Sequence, residues 1–247
     1  MIPHIVEWRI YIHSISGFRF TPQRFPETAI RELKKFETHL PDRYYLKFYL
    51  GTATLATGAP EQALTYLQQA LDLNPRLDLI RYRYVRGLVA VADWDTALRQ
   101  VNLLLAKYPK HIDYNYLKGR ILLDQGDYET ARHYFEDCLR LKPDAIEIMM
   151  NLGICHYLAQ QLEQAAAQFR KALVFSPADR SILMWLIETN IKAKHPAEVD
   201  RYVSRLIASA PEDQVIGYLE NNFNDPYMPP GAKAIIIGKI KRRLGGQ

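Results

Sequence analysis

Prolines stand at Pro41, Pro75, Pro109, Pro143, Pro177 and Pro211, each 34 residues after the one before. A fixed period of this length marks a repeat architecture, in which each unit buries its apolar face only against its neighbours. The text leading into three of these prolines is alike: Ala-Leu-Asp-Leu-Asn-Pro75, Leu-Leu-Ala-Lys-Tyr-Pro109 and Cys-Leu-Arg-Leu-Lys-Pro143. Further back in each unit a small residue recurs in register at Ala29, Ala63, Ala97, Ala131 and Ala165, with Val199 in the sixth unit. Glycine recurs earlier still, at Gly17, Gly51, Gly119 and Gly153.

These residue types have a common physical use. Ala or Gly at a helix crossing lets two backbones approach closely, so in-register small positions imply a series of similar crossings. A proline after a helix cannot continue it and so separates one helix pair from the next. Each unit also carries a turn-and-start text, such as Phe25-Pro-Glu-Thr-Ala, Ala59-Pro-Glu-Gln-Ala, Asp93-Trp-Asp-Thr-Ala and His195-Pro-Ala-Glu-Val. Pro26, Pro60 and Pro196 suit a first helical position, and the acids beside them favour the positive end of the helix dipole. Apolar residues then recur at helical spacing, as in Ala63, Leu64, Leu67, Ala70 and Leu71. The pattern predicts a helix–turn–helix hairpin for every unit.

Leu-Gly early, Ala in the middle, Phe-x-x-Ala later and Pro at the end, at a period of 34, resemble the tetratricopeptide repeat. The best copy is residues 146–179, with Leu152-Gly153, Ala165, Phe169, Ala172 and Pro177. Repeats 44–77 and 112–145 follow closely, whereas 78–111 has Val85 at the glycine position and 180–213 has Ile187 and Val199. The resemblance implies an all-α, right-handed solenoid of hairpins spanning 1–247 as one domain. Its repeats are expected at about 10–43, 44–77, 78–111, 112–145, 146–179 and 180–213, with a degenerate capping unit at 214–247. In that cap, residues 214–223 are expected to form a first helix, Asn224–Gly231 a loop and 232–244 a second helix. Near the N-terminus Val6, Trp8, Ile10 and Ile12 alternate like a strand, while Ile5, Trp8, Ile12 and Ile15 fit one helix face. A helix is preferred there, because a lone strand has no partner to pair with.

Charge is distributed unevenly. The net charge is +5, and Lys233, Lys239, Lys241, Arg242 and Arg243 account for all of it, because residues 226–247 contain no acid. The basic character therefore belongs to the tail, and the overall balance is no argument for nucleic-acid binding by the body. Cys138 and Cys155 form neither a disulfide framework nor a zinc spacing. With no signal-peptide pattern at the N-terminus, they point to a reducing cytoplasm. The longest uncharged stretches, 48–60 and 148–162, are shorter than a membrane span.

No Gly-rich phosphate loop, His-x-x-x-His pair, Cys-x-x-Cys pair or nucleophile motif occurs. No enzymatic activity, cofactor or metal is expected. His156 stands at a position where the family packs a tyrosine, so a buried, satisfied histidine is expected there, and the two cysteines read as buried thiols.

What is left to carry function is surface. In the family the first helices of the hairpins line a concave face. Its ligand-facing positions fall here on Phe48, Tyr82, Tyr116, Met150 and Met184. The next position in each repeat carries Tyr49, Arg83, Leu117, Asn151 and Trp185, and the one a turn after the first set carries Thr52, Arg86, Arg120, Ile154 and Glu188. Aromatic rings beside arginines suit a segment with acidic character, flat area for side chains and guanidinium for carboxylates. Charge reversal at Arg86 and Arg120 is expected to weaken partner capture. The family's carboxylate-clamp mode for chaperone tails is not expected, because its Lys, Asn, Asn, Lys and Arg positions read Phe48, Thr52, Arg83, Asp113 and Leu117.

The function these residues imply is a non-enzymatic scaffold or adaptor that binds a protein or peptide segment, of acidic character, through its concave face. One alternative is a permanent structural subunit of a larger complex. Another is a membrane- or nucleic-acid-associated regulator using the basic tail, whose Ile235, Ile236, Ile237, Ile240 and Leu244 form an apolar set. The repeat register instead assigns that tail to a capping helix.

Overall fold

A computed structural model describes residues 24–37, 39, 42–209, 211–223 and 225–244. Thirteen α-helices occur among the described residues, and no strand. They are α1 (Pro26–Glu37), α2 (Tyr44–Ala56), α3 (Pro60–Leu73), α4 (Asp78–Ala90), α5 (Trp94–Lys107), α6 (Ile112–Asp124) and α7 (Tyr128–Leu141). There follow α8 (Ile146–Leu158), α9 (Leu162–Phe175), α10 (Arg180–Lys192), α11 (Pro196–Ala208), α12 (Glu212–Gly217) and α13 (Ala232–Leu244). A π-helical stretch, Tyr218–Asn222, continues directly from α12. The helix preferred for the N-terminal segment lies outside the described residues.

The hairpins keep the register of the prolines. Pro60 and Pro196 open α3 and α11 at the first helical position. Three helices without an opening proline are capped by a carboxylate instead, whereas α9, which follows Gln161, has neither. Asp93 accepts from the Thr96 N–H, Asp127 from the Thr130 N–H, and Asp179 from the N–H groups of Ser181 and Ile182. Each hairpin turn closes the same way, with a backbone N–H reaching back five residues to a carbonyl near the end of the first helix. The pairs are Ala59 to Thr54, Asp93 to Leu88, Asp127 to Leu122, Gln161 to His156 and His195 to Asn190. This is the Schellman closure, and it requires one residue of left-handed backbone. That residue is Gly58, Ala92, Gly126, Gln160 or Lys194.

The chain divides into two compact units between Tyr114 and Asn115, inside α6. In the N-terminal unit α1 packs on α2, α2 on α3, α3 on α4 and α4 on α5. Its core joins Ala29, Leu33, Leu46, Leu50 and Ala53 in one cluster and Phe48, Leu67, Ala70, Leu71 and Ile80 in the next. In the C-terminal unit consecutive helices from α7 to α11 pack in the same manner, and α13 closes over α10 and α11. Phe135, Phe169, Tyr157, Trp185 and Tyr202 are fully enclosed there. The ring of Phe169 stacks on Trp185 with centroids 5.5 Å apart, a pairing that contributes about 0.5–1.5 kcal/mol beyond the burial itself.

The small positions behave as the crossing argument requires. Ala29, Ala63, Ala97, Ala131, Ala165 and Val199 are all buried. His156 is buried with Nδ1 2.6 Å from Gln161 Oε1. Cys138 and Cys155 are buried free thiols, and burial pushes the Cys155 thiol up to about 12, far from a reactive thiolate.

The tail forms the expected helix. Ala232, Ile236 and Ile240 of α13 are buried, while Ile235 is exposed. Lys233 donates to the Glu220 and Phe223 carbonyls at 2.9 and 3.3 Å. Lys241 lies 3.9 Å from Glu220, Arg243 lies 3.9 Å from Asp200, and Arg242 donates to the Gly238 carbonyl at 3.2 Å. Lys239 is half-buried on the same helix.

Candidate partner-binding site

The first helices of the hairpins carry every residue of the expected face, and the structure sorts those residues into two groups. In the N-terminal unit, α2 and α4 lie side by side and present Tyr49, Tyr82, Arg83 and Arg86. Arg86 and Tyr49 are exposed, Tyr82 and Arg83 half-buried. Phe48 is not a surface residue. It is buried against Leu67, Ala70 and Ile80, because α2 is covered by both α3 and α4, and only its neighbour Tyr49, with ring centroids 5.3 Å away, reaches solvent.

The arginine pair is electrostatically one-sided. The Nε of Arg83 is buried and has no hydrogen-bond partner. Burial, and then the like charge of Arg86, hold the Arg83 guanidinium below its ordinary pKa. Its Cζ lies 6.0 Å from the centre of the Tyr82 ring, at the outer edge of a cation–π contact. Helix α2 contains no acid. The one acid of α4, Asp78, is taken by Lys107 at 2.6 Å. Thr52 adds a buried hydroxyl without a partner.

The C-terminal unit differs, since its first helices are tied together by side chains. Asn151 donates to the Tyr116 hydroxyl at 2.9 Å, and that hydroxyl in turn donates to Glu147. Burial, and then the bond to Glu147, push the Tyr116 phenol up to about 12. Tyr157 donates to the buried Glu188 at 2.8 Å. Six residues at positions expected on the partner-facing surface are interior, Leu117, Ile154 and Glu188 among them. Asn151 is 5% exposed, and Met184 and Trp185 are fully buried. Helix α10 is enclosed on all sides, its residues Ile182–Asn190 being buried without a break. Met150, Tyr116 and Arg120 remain half-buried.

Part of that enclosure comes from the segment between the π-helical stretch and α13. The Trp185 indole N–H donates to Asp225 Oδ2 at 2.8 Å. Asp225 Oδ1 accepts the backbone N–H of Tyr227 at 3.0 Å. The Tyr227 hydroxyl donates to Asp124 and accepts from Arg120 Nη2 at 3.4 Å, and its ring centre lies 5.9 Å from the Arg120 Cζ. Burial first, then the Asp124 bond, raise the Tyr227 phenol above its ordinary value. Arg120, expected to await a partner, is engaged by the chain itself. Asp124, Asp225 and Tyr227 were outside the expected site. Their one trace in the sequence is an acid and a tyrosine two residues apart in a proline-rich loop.

Among the described residues no group of three His, Cys, Asp or Glu is placed to hold a metal ion. Nor is any described helix long and apolar enough to cross a membrane.

Two tetratricopeptide-repeat family models match the chain, at residues 54–121 and 116–180, and together they span about half of it. The chain belongs to the tetratricopeptide-repeat family. Members of this family generally mediate protein–protein interaction and complex assembly. The chain is 33% identical over 95 residues to the Photosystem I assembly protein Ycf3 of Acaryochloris marina (strain MBIC 11017), a match covering 36% of this chain and 57% of that protein. It therefore spans little more than half the length of that curated relative. Among solved structures, a tetratricopeptide repeat protein from Parabacteroides merdae superposes with a TM-score of 0.69 at 16% identity, covering 98% of this chain and 86% of that one. MamA from Desulfovibrio magneticus RS-1 superposes with a TM-score of 0.58 at 21% identity, covering 67% and 92%. Both share the fold with this tetratricopeptide-repeat chain.

Proposed function

We propose that the chain is a non-enzymatic assembly scaffold that holds an acidic segment of a partner protein on the α2–α4 face of its N-terminal unit. The observation that carries this reading is the Arg83–Arg86 pair, one guanidinium exposed and the other with a buried, unpartnered Nε, on a face whose only acid is already paired. A carboxylate there pairs with the exposed Arg86 guanidinium and offsets the repulsion between the arginines. Tyr49 and Tyr82 supply flat apolar area on either side. The partial likeness to a protein named for photosystem assembly agrees with an assembly role.

The test is fluorescence anisotropy with a labelled dodecapeptide rich in Glu, Asp and Phe, and its counterpart with Lys replacing the acids. The acidic probe is expected to bind, more weakly as salt rises. The double variant Arg83→Glu/Arg86→Glu is expected to lose at least about tenfold in affinity. Equal binding of the two probes, or of the parent and the variant, contradicts the reading.

A second reading, a permanent subunit of a larger complex, draws on exposed apolar residues near the ends of second helices. Leu141 is 59% exposed, Val174 75% and Phe175 52%. A subunit that buries these residues co-purifies in fixed stoichiometry through high-salt washes, whereas an adaptor held by the arginines exchanges.

A further inference from the structure

The seat of the 225–227 segment has the properties of a ligand site rather than of ordinary loop packing. Its hydrogen bonds to the first helices come from two side chains, Asp225 and Tyr227, and they reach two different helices, α10 through Trp185 and α6 through Arg120 and Asp124. The Asp225 carboxylate also accepts the Tyr227 N–H, so the segment carries its own turn. Pro226, Pro229 and Pro230 restrict the chain before it is seated, which lowers the ordering cost of holding it. The Arg120 Nε is buried and has no hydrogen-bond partner even with the segment in place, so the seat retains a spare donor. The ends of the segment are drawn together by Lys233, which bonds the Phe223 carbonyl, and Gly231, at φ +87°, turns the chain into α13. A tethered segment of this kind occupies its seat at high effective concentration.

We propose that the first-helix face of the C-terminal unit is a peptide site for an acid-x-tyrosine turn, filled in cis by Asp225 and Tyr227. A partner protein presenting a carboxylate two residues before a tyrosine competes for the same seat: the indole N–H of Trp185 takes the carboxylate, and Arg120 with Asp124 takes the phenol. The site shares no residue with the α2–α4 face, so either stands without the other.

The test uses the full chain and a fluorescein-labelled peptide of the chain's own residues 223–230, Phe-Asn-Asp-Pro-Tyr-Met-Pro-Pro. In the variant Asp225→Ala/Tyr227→Ala the seat is emptied, and the probe is expected to bind at least about tenfold more tightly than it binds the parent. A probe with alanine at its Asp and Tyr is expected not to bind the emptied variant. Equal affinity of the first probe for parent and variant, weak or tight, overturns the proposal, as does retained binding of the alanine probe. If the double variant loses the parent's helical circular dichroism, the comparison is made in Tyr227→Phe. This variant keeps the ring and loses the hydroxyl bonds to Asp124 and Arg120; a gain of a few-fold supports the proposal and no gain overturns it. Adding Arg83→Glu/Arg86→Glu is expected to leave the probe's affinity unchanged. A fall shows the probe to sit on the α2–α4 face and overturns the assignment.

Discussion

Five residues spaced 34 apart do the same work in the hairpin turns, and only two of them are glycines. Gly58 and Gly126 adopt positive φ without a side chain to clash, while Ala92, Gln160 and Lys194 hold φ of 58°, 62° and 61°. A left-handed backbone costs a residue with a Cβ about 1–2 kcal/mol, part of which glycine returns through the greater freedom of its unfolded chain. Gln160→Gly is therefore expected to raise stability by about 0.5–1 kcal/mol and Gly126→Ala to lower it by about 1 kcal/mol. Urea denaturation of the two variants checks both signs, and a destabilised Gln160→Gly would contradict the turn assignment. The three non-glycine turns are hard to see in the sequence, since nothing in Ala92, Gln160 or Lys194 by itself demands a left-handed conformation.

At the scale of helices, Gly153 at the crossing of α8 over α9 has the least room for a Cβ among the glycines of the described helices. A Cβ built on Gly153 would stand 2.4 Å from Phe169 Cε1, and the Phe169 ring is fully buried against Trp185. Gly153→Ala is expected to cost about 1–3 kcal/mol, because the ring can yield only by leaving its rotamer or forcing the helices apart. Thermal denaturation measures it, and a variant as stable as the parent would contradict so close a packing. Helix order and spacing were legible because the signals are local: a proline ends each unit, a small residue marks each crossing, and Pro60, Asp93, Asp127 or Pro196 begins a helix. Which side of a first helix meets water was much less legible. Each first helix packs on its own second helix and on neighbours from adjacent hairpins, so apolar residues surround α8 and α10 and no polar stripe marks an exposed side. Phe48, Met184 and Trp185 occupy the family's ligand-facing positions yet lie in the core for this reason.

For the molecule as a whole, the two compact units have different conditions on their first-helix faces. The N-terminal unit leaves Arg83 and Arg86 without a carboxylate partner in the structure's hydrogen bonds and ion pairs among the described residues, whereas the C-terminal unit seats its own Asp225 and Tyr227. The Arg120–Tyr227 bond joins residues 107 apart in sequence. No periodicity encodes such a contact, because it depends on a loop outside the repeat, and the register could do no more than mark Asn224–Gly231 as a connection. The most direct measurement is recovery of partners by the tagged full chain from its native source, parent beside Arg83→Glu/Arg86→Glu, with quantitative mass spectrometry. The expected result is at least one protein partner depleted about tenfold or more from a variant that melts with the parent. The same partners at the same yield from both chains would contradict the capture of a partner through this arginine face.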